Sequence, residues 1–241
     1  MTRWETLCPG GLGFFWDEDL FRPGTDSFLL SSLPRLRPGL RVCDLGSGGG
    51  LLGVLLLQRQ RDLTVTGVEI QERAVRLGER TAAENGLEDR LRFRLGDIRR
   101  MRDLLPAGAF DLAVANPPYY PPASGCVPVE EGARTARAET ACTLAELCAA
   151  AGYLLTWGGR FCLCHKPERL TDLLCALREA GLEPKRLRLV ANTPQSPPSL
   201  VLAEARRGGR PGLAVEPPLI LRTPEGQAEL EKIYFRQEDA L

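Results

Sequence analysis

The most constraining feature of this chain is a glycine-rich segment between two apolar stretches. Arg41–Leu45 has the short apolar pattern of a buried strand, Gly46-Ser47-Gly48-Gly49-Gly50 follows it, and Leu51–Arg59 has the character of a helix. Glycines at such a turn let the backbone adopt positive φ and let a ligand approach it closely. The strand–turn–helix order predicts the first unit of an α/β sheet.

Strands and helices continue to alternate after this unit, which is typical of a doubly wound parallel sheet. The further strands are predicted at Leu63–Val68, Leu91–Leu95, Phe110–Ala115, Arg160–Cys164, Arg186–Val190 and Leu200–Ala205, with a short candidate at 213–222. The further helices are predicted at Glu72–Asn85, Glu139–Ala151 and Glu168–Ala180. Little helix separates the last two strands, so we expect an antiparallel pair at the edge. The sequence therefore predicts an α/β, Rossmann-like domain over residues 39–241, with a mostly parallel seven-stranded sheet and helices on both faces.

The first 38 residues lack a long regular pattern. Gly10-Gly11-Leu12-Gly13 is a flexible stretch, and Thr25-Asp26 could cap a short helix that contains the apolar segment Phe28–Leu30. We expect residues 1–38 to be an N-terminal extension that packs over the ligand pocket of the main domain.

Composition excludes some classes of protein and leaves others open. The 31 Lys and Arg residues balance the 31 Asp and Glu residues, so net charge gives no argument for a nucleic-acid partner and none against a local basic face. No run approaches the roughly 18 apolar residues of a membrane span. We see no secretion signal and expect a cytoplasmic protein whose 8 cysteines are free thiols. Cys162, Cys164 and His165 form the only close cluster, and without a second ligand pair we predict no metal site.

Three acidic residues end three consecutive predicted strands. Asp44 lies next to the glycine-rich turn, Glu69 ends the second strand, and Asp97 ends the third. The carboxyl edge of a parallel sheet is where open α/β folds bind ligands. Glu69 can accept hydrogen bonds from both hydroxyls of a ribose, and Asp97 can bind the exocyclic amine of an adenine.

The spacing of the glycines indicates which cofactor this pocket takes. A dinucleotide loop has glycines at its first, third and sixth positions and holds a pyrophosphate. Here Gly46, Gly48 and Gly50 alternate with other residues after Asp44, and a carboxylate at that place would repel a pyrophosphate. The segment suits a cofactor with a ribose and a positive charge, which describes S-adenosyl-L-methionine. It resembles the first motif of the class I methyltransferases.

A second motif, Asn116-Pro117-Pro118-Tyr119, closes the fourth strand of the predicted sheet. An amine conjugated with a ring or a carbonyl is a poor nucleophile, and two acceptors that bind its N–H groups draw the nitrogen toward a tetrahedral shape. The Asn116 side-chain oxygen and the Pro117 carbonyl can form this pair, and the prolines stiffen the turn. Tyr119 can stack on a flat target. The motif resembles that of amino-methyltransferases, so Asn116, Pro117 and Tyr119 are the predicted catalytic residues.

The resemblance extends further along the chain. The segment from Phe21 to Leu30 is similar to the N-terminal Gly-Thr-Asp signature of the tRNA1(Val) (adenine(37)-N6)-methyltransferase family, and Ala136-Arg137-Ala138-Glu139 fits its loop pattern. The resemblance covers roughly residues 10–205, and after about 206 we identify no motif of the family. It implies methylation at N6 of an adenine in tRNA. It also implies that the cofactor-binding residues are Asp44, Gly46, Ser47, Gly48, Gly50, Glu69, Ile70, Asp97, Ile98, Asn116, Thr25 and Asp26.

The residues that would bind the acceptor follow the fourth strand. They are predicted to be Pro118, Tyr119, Tyr120, Arg134 and Arg137, and the two arginines are expected to touch RNA phosphates. Alternative acceptors stay open at this point: a protein glutamine amide, ribosomal RNA or a small molecule. A non-catalytic cofactor-binding module is a further alternative. A glutamine methyltransferase of the release-factor type normally has an extra N-terminal helical domain, and only about 38 residues precede the first strand here.

Overall fold

A nine-stranded sheet forms the centre of the protein in a computed structural model that describes residues 1–20, 23–117 and 142–234. Two strands, β1 (Thr2–Thr6) and β2 (Gly13–Asp17), form a separate hairpin. The strands of the central sheet are, in chain order, β3 (Arg41–Leu45), β4 (Thr64–Glu69), β5 (Leu91–Leu95), β6 (Phe110–Ala115), β7 (Leu155–His165), β8 (Leu182–Ala191), β9 (Leu200–Arg207), β10 (Ala214–Val215) and β11 (Leu219–Ile220). The order across the sheet is β10-β8-β9-β7-β6-β3-β4-β5, and β11 also pairs with β8.

Strand directions confirm the predicted sheet. The neighbours among β3 to β7 are parallel, whereas β9 runs antiparallel to both β7 and β8. The predicted seven strands are β3 to β9, and the sheet adds the two-residue strands β10 and β11 parallel to β8. The candidate strand at 213–222 is thus two short pieces, with Pro217 and Pro218 between them, and proline cannot donate to a ladder.

Helices cover both faces of this sheet. They are α1 (Thr25–Ser32), α2 (Leu51–Arg59), α3 (Glu72–Glu84), α4 (Met101–Leu104), α5 (Leu144–Leu154), α6 (Leu170–Glu179) and α7 (Pro224–Tyr234). Alternate residues of each strand enter opposite cores, so Val42 packs with α1 and α2 while Cys43 packs with α5 and α6. No helix within the described ranges is both long enough and apolar enough to cross a membrane.

The N-terminal residues form a hairpin that the sequence did not reveal. β1 and β2 pair antiparallel, and β2 is tied to α3 by two hydrogen bonds from its backbone. The Gly13 amide donates to Asn85 Oδ1 at 2.9 Å, and the Phe15 amide donates to Thr81 Oγ1 at 3.0 Å. Every residue of β1 is exposed, which removes the alternating pattern by which strands are found.

The starts of α1 and α5 differ from the sequence prediction. The N-cap residue of α1 is Gly24, so the prediction that Thr25-Asp26 caps this helix is wrong. α5 begins at Leu144 because Thr143 and Glu146 form a reciprocal capping box, which fixes the start of the helix. The predicted start at Glu139 lies outside the described residues.

Candidate active site

The glycine-rich turn lies where β3 ends and α2 begins, at the carboxyl edge of the sheet. The Gly46 and Ser47 amides donate to the carbonyl of Val68, at 2.9 and 3.2 Å, which holds the turn against β4. Gly48 has φ +53°, and a Cβ built on it meets nothing within 4 Å. The turn therefore leaves open space beside its backbone, as a bound ligand requires.

Glu69 ends β4 beside this turn, and its buried carboxylate accepts hydrogen bonds from two backbone amides. Its Oε2 accepts from the Gly48 amide at 2.9 Å, and its Oε1 accepts from the Gln71 amide at 2.9 Å. A carboxylate has about four lone-pair sites, so each oxygen keeps capacity for a further donor. Two backbone bonds fix the carboxylate plane, which suits a pair of vicinal hydroxyls.

Asp44 and Ser47 contribute buried polar atoms that are unsatisfied. Among the described residues, neither Asp44 Oδ2 nor Ser47 Oγ has a hydrogen-bond partner. Burial, with a smaller contribution from the negative charge of Glu69, raises the pKa of Asp44 to about 7. Unpaired buried polar groups cost free energy, so they mark a place where a partner is expected to bind. A cationic partner would favour the ionised carboxylate.

Asp97 follows β5 and is bound by a neighbouring arginine. The Arg99 side chain donates to both carboxylate oxygens, with the shortest contact at 2.6 Å, and the Arg99 amide adds a bond at 2.9 Å. These hydrogen bonds lower the pKa of Asp97, so it stays ionised near neutral pH. Ile70 and Ile98 follow Glu69 and Asp97, and Ile70 is 37% exposed, a position suited to a flat apolar ring.

Asn116 follows β6 at the same edge of the sheet. β6 pairs with β3 through Val114 and Asp44, and with β7 through Ala115 and Leu163. The next residues therefore stand side by side, and the Cys164 thiol donates to Asn116 Oδ1 at 3.1 Å. On the other side, Asn116 Nδ2 donates to Ser27 Oγ at 3.0 Å. Pro117 follows and is half-buried.

The N-terminal residues lie against these groups. The Phe15 carbonyl oxygen of β2 is 3.3 Å from a Cβ built on Gly49, so the hairpin borders the glycine-rich turn. α1 places Ser27 on Asn116, while the hydroxyl of Thr25 accepts from the Tyr234 hydroxyl of α7 at 3.3 Å. Asp26 lies in the first turn of α1.

Some predicted residues are brought together and others lie outside the described residues. The structure gathers Asp44, Gly46, Ser47, Gly48, Gly50 and Glu69 around one turn, with Asn116 one strand away. Pro118, Tyr119, Tyr120, Arg134 and Arg137 lie outside the described residues. Cys162 and Cys164 face the same core of the sheet, as the strand period predicts. The described ranges contain no group of three His, Cys, Asp or Glu side chains placed to hold a metal ion.

Sequence reasoning missed two residues that contact Asn116, namely Ser27 and Cys164. Both are buried, at 3% and 0% exposure. Ser27 lies in the Phe21–Leu30 segment and Cys164 in the cluster with Cys162 and His165, but neither pattern indicates a contact with Asn116. The only available signal was the strand order, because β7 beside β6 places Cys164 next to Asn116.

The described residues fit S-adenosyl-L-methionine. Open space at Gly48, the unpaired Asp44 and Ser47 oxygens and the spare acceptors of Glu69 match a ligand with a ribose and a positive charge. The strand order and this pocket are those of a class I methyltransferase. A "predicted O-methyltransferase" from Agrobacterium tumefaciens has the same fold, with a TM-score of 0.70 at 21% identity over 87% of this chain and 97% of its own.

Family comparisons define the protein further. The model of the methyltransferase small domain family matches residues 19–168. The tRNA1(Val) (adenine(37)-N6)-methyltransferase of Dickeya chrysanthemi is 31% identical, over 80% of this chain and 76% of its own length. The enzyme of the same name from Porphyromonas gingivalis is 32% identical, over 77% of this chain and 74% of its own length. The chain belongs to this family of methyltransferases, which confirms the resemblance seen in the sequence and the prediction of S-adenosyl-L-methionine as cofactor.

Proposed function

We propose that this protein methylates N6 of an adenine in tRNA, with S-adenosyl-L-methionine as methyl donor. The related enzymes are named as adenine-N6-methyltransferases of a tRNA, which supports this acceptor. One observation carries the proposal: the side-chain amide of Asn116 is held by hydrogen bonds with Ser27 and Cys164, one strand away from the cofactor pocket. That pocket contains the unpaired Asp44 and Ser47 oxygens. Cofactor and acceptor sites at one sheet edge are what a direct methyl transfer needs.

Cofactor binding is assigned to residues of the first three parallel strands. S-adenosyl-L-methionine supplies a methyl group on a positively charged sulfur when it is bound. Glu69 binds the ribose hydroxyls through its two remaining acceptor sites, and Asp97 binds the adenine amine beside Arg99. Asp44 offsets the positive charge of the cofactor, while Gly46, Ser47, Gly48 and Gly50 shape the wall of the pocket. Ile70 and Ile98 contact the adenine ring.

The acceptor amine is assigned to Asn116 and Pro117. Asn116 Oδ1 and the Pro117 carbonyl each accept one N–H of the adenine amine, which increases the nucleophilicity of its nitrogen without removing a proton first. As the nitrogen bonds to the methyl carbon, the bond between that carbon and the donor sulfur breaks and its electron pair stays on the sulfur. The nitrogen then carries the positive charge and loses one proton to solvent. Tyr119 stacks on the base, with Pro118 and Tyr120 beside it, and Arg134 and Arg137 contact phosphates.

Residues 1–38 are assigned as an extension that covers the cofactor pocket, with Thr25 and Asp26 on the inner side. The contact of Phe15 with the Gly49 region and the bond from Asn116 to Ser27 support this assignment. The assignment separates this extension from the methyltransferase domain at 39–241.

A labelling experiment tests the proposed reaction. Purified protein is incubated with methyl-labelled S-adenosyl-L-methionine and tRNA from cells that lack the modification, and the digested nucleosides are analysed by mass spectrometry. We expect labelled N6-methyladenosine. Asn116→Ala should lower turnover by at least about a hundredfold and leave cofactor affinity within about twofold, whereas Asn192→Ala, an exposed asparagine, is the matched control.

Two outcomes would contradict the proposal. Label in a nucleoside other than adenosine would refute the acceptor atom. Absence of label in tRNA, with cofactor binding intact by calorimetry, would refute the tRNA assignment and favour ribosomal RNA, a protein amide or a small amine. Equal loss of cofactor affinity and turnover in Asn116→Ala would refute the role given to Asn116.

A further inference from the structure

We propose that Ser27 and Cys164 are positioning residues that hold the side-chain amide of Asn116 in the orientation that presents Oδ1 to the acceptor amine. The proposal rests on the proposed function, since it concerns how Asn116 performs its part in the reaction. Neither residue is among the predicted cofactor-binding, catalytic or acceptor-binding residues.

An asparagine amide has two orientations that differ in chemistry and little in shape. The last torsion of the side chain has a broad, roughly two-fold profile, so a turn of 180° exchanges Oδ1 and Nδ2 at little intrinsic cost. Only Oδ1 can accept an N–H from the acceptor amine, whereas Nδ2 carries two donors and would oppose it. The catalytic value of Asn116 therefore depends on something that selects one orientation.

Two contacts hold the amide at its opposite ends, and the contact with Cys164 selects the orientation, since the hydroxyl of Ser27 can either donate or accept. Ser27 Oγ accepts from Nδ2 at 3.0 Å, and the Cys164 thiol donates to Oδ1 at 3.1 Å. A flipped amide would set Nδ2 donors against the S–H of Cys164, and a thiol sulfur is only a weak acceptor. Ser27 is 3% exposed and Cys164 is 0% exposed, so little water competes for these bonds.

The thiol is suited to share Oδ1 with a substrate. A carbonyl oxygen has two lone pairs, and a thiol is a weak donor that occupies one of them. The other lone pair is the one that the proposed reaction assigns to the N–H of the acceptor amine. A weak donor such as Cys164 can orient the amide and still withdraw little of the acceptor strength of Oδ1.

The two residues come from distant parts of the chain, which makes them separable in an experiment. Ser27 belongs to α1, and Cys164 belongs to β7. Each has a matched control: Ser32 lies in the same helix and donates to the Leu29 carbonyl at 2.7 Å, and Cys162 lies two residues earlier on the same face of β7. The side chain of Cys162 bonds elsewhere, since its thiol donates to Glu204 Oε2 at 3.7 Å.

Steady-state kinetics with tRNA test the catalytic part of the proposal. We expect Ser27→Ala and Cys164→Ala each to lower kcat about fivefold, the loss of one modest hydrogen bond. The KM for S-adenosyl-L-methionine should stay within about twofold, while Ser32→Ala and Cys162→Ala should keep the wild-type kcat. Cys164→Ser, which restores a donor, should recover most of the lost kcat and excludes a general folding defect.

The side-chain amide resonance of Asn116 in ¹⁵N-labelled protein tests the contacts without any substrate. The resonance is assigned by its loss in Asn116→Asp, and we expect Ser27→Ala to shift and broaden it while Ser32→Ala leaves it unchanged. An unchanged resonance and an unchanged kcat in Ser27→Ala would overturn the proposal. If wild-type protein did not methylate tRNA, the proposed function would fail, and the resonance would still decide whether Ser27 and Cys164 hold the amide.

Discussion

The buried carboxyl group of Asp44 predicts a pH dependence of cofactor binding. Burial and the charge of Glu69 raise the pKa of Asp44 from 3.8 to about 7, and its Oδ2 has no hydrogen-bond partner within the described ranges. A positively charged ligand binds the ionised form better than the neutral form. Affinity for S-adenosyl-L-methionine should therefore rise with pH through about 7 and then level off.

The pKa sets the size of this step. With a pKa of about 7, roughly one molecule in eleven is ionised at pH 6 and roughly ten in eleven at pH 8. If only the ionised form binds well, the apparent dissociation constant falls about tenfold over this range, because it scales with the competent fraction. The step corresponds to about 1.4 kcal/mol.

Isothermal titration calorimetry with S-adenosyl-L-methionine at pH 6, 7 and 8 measures the step. We expect Asp44→Asn to bind weakly at every pH and to lose the step. Asp97→Asn is the matched control: hydrogen bonds from Arg99 lower the pKa of Asp97, so this carboxylate is ionised over the whole range. That variant should bind less tightly and keep the tenfold ratio.

The same pKa gives an opposite effect on folding. A raised pKa means that the folded protein favours the neutral carboxyl group of Asp44. The contribution of this group to stability is fully present below the unfolded pKa and is lost as the pH rises through about 7. The difference in Tm between ligand-free Asp44→Asn and wild type should therefore increase in favour of the variant from pH 5 to pH 8. A wild-type affinity that is flat from pH 6 to pH 8, or a step that persists in Asp44→Asn, would refute the assignment of this titration to Asp44.

Three further changes test separate parts of the site. Glu69→Ala should weaken cofactor affinity by at least about tenfold, because charge-assisted hydrogen bonds to two hydroxyls are lost, and calorimetry measures this; unchanged affinity would contradict the ribose role. Gly50→Ala should destabilise the protein by about 1–2 kcal/mol, because Gly50 has φ +87° and the new Cβ would lie 2.6 Å from Phe93 Cζ. The destabilisation should appear as a lower Tm, and a wild-type Tm would contradict the need for glycine at this position. Arg134→Ala with Arg137→Ala should flatten the slope of log affinity for tRNA against log salt by roughly 1.5, and an unchanged slope would exclude phosphate contacts.

The grouping of the three acidic residues at one edge of the sheet could be predicted because it depends on local sequence. Asp44, Glu69 and Asp97 each follow a strand, and parallel strands bring their carboxyl ends to one edge of a sheet. A glycine-rich turn also has its own composition. The order of strand and helix therefore sufficed to place these residues near one another before any coordinate was known.

The N-terminal hairpin could not be predicted because its support comes from far along the chain. Gly13 and Phe15 are held by Asn85 and Thr81, which are 72 and 66 residues away. β1 is wholly exposed, so it has no apolar periodicity of its own. Hairpins of this kind are marginal alone and form on a partner surface.

The C-terminal helix carried a local signal. Pro224 occupies the start of α7, a position that proline favours, and Thr223 Oγ1 accepts from the Gly226 amide at 3.1 Å as an N-cap does. Threonine followed by proline and glutamate is therefore a helix start that the sequence does contain. The sequence does not show which surface this helix packs against.

The packing of α7 against α1 connects the last part of the described chain to the site. Tyr234 of α7 stacks against Phe28 of α1, with ring centroids 4.4 Å apart, and its hydroxyl donates to Thr25 at 3.3 Å. Between Thr25 and Phe28 on the same helix lies Ser27, whose hydroxyl accepts a hydrogen bond from Asn116 Nδ2. The end of the described chain thus supports the helix whose serine contacts the asparagine at the end of β6. The parallel sheet therefore determines where Asn116 and Cys164 stand, whereas the packing of α1 against α7 supports the position of Ser27.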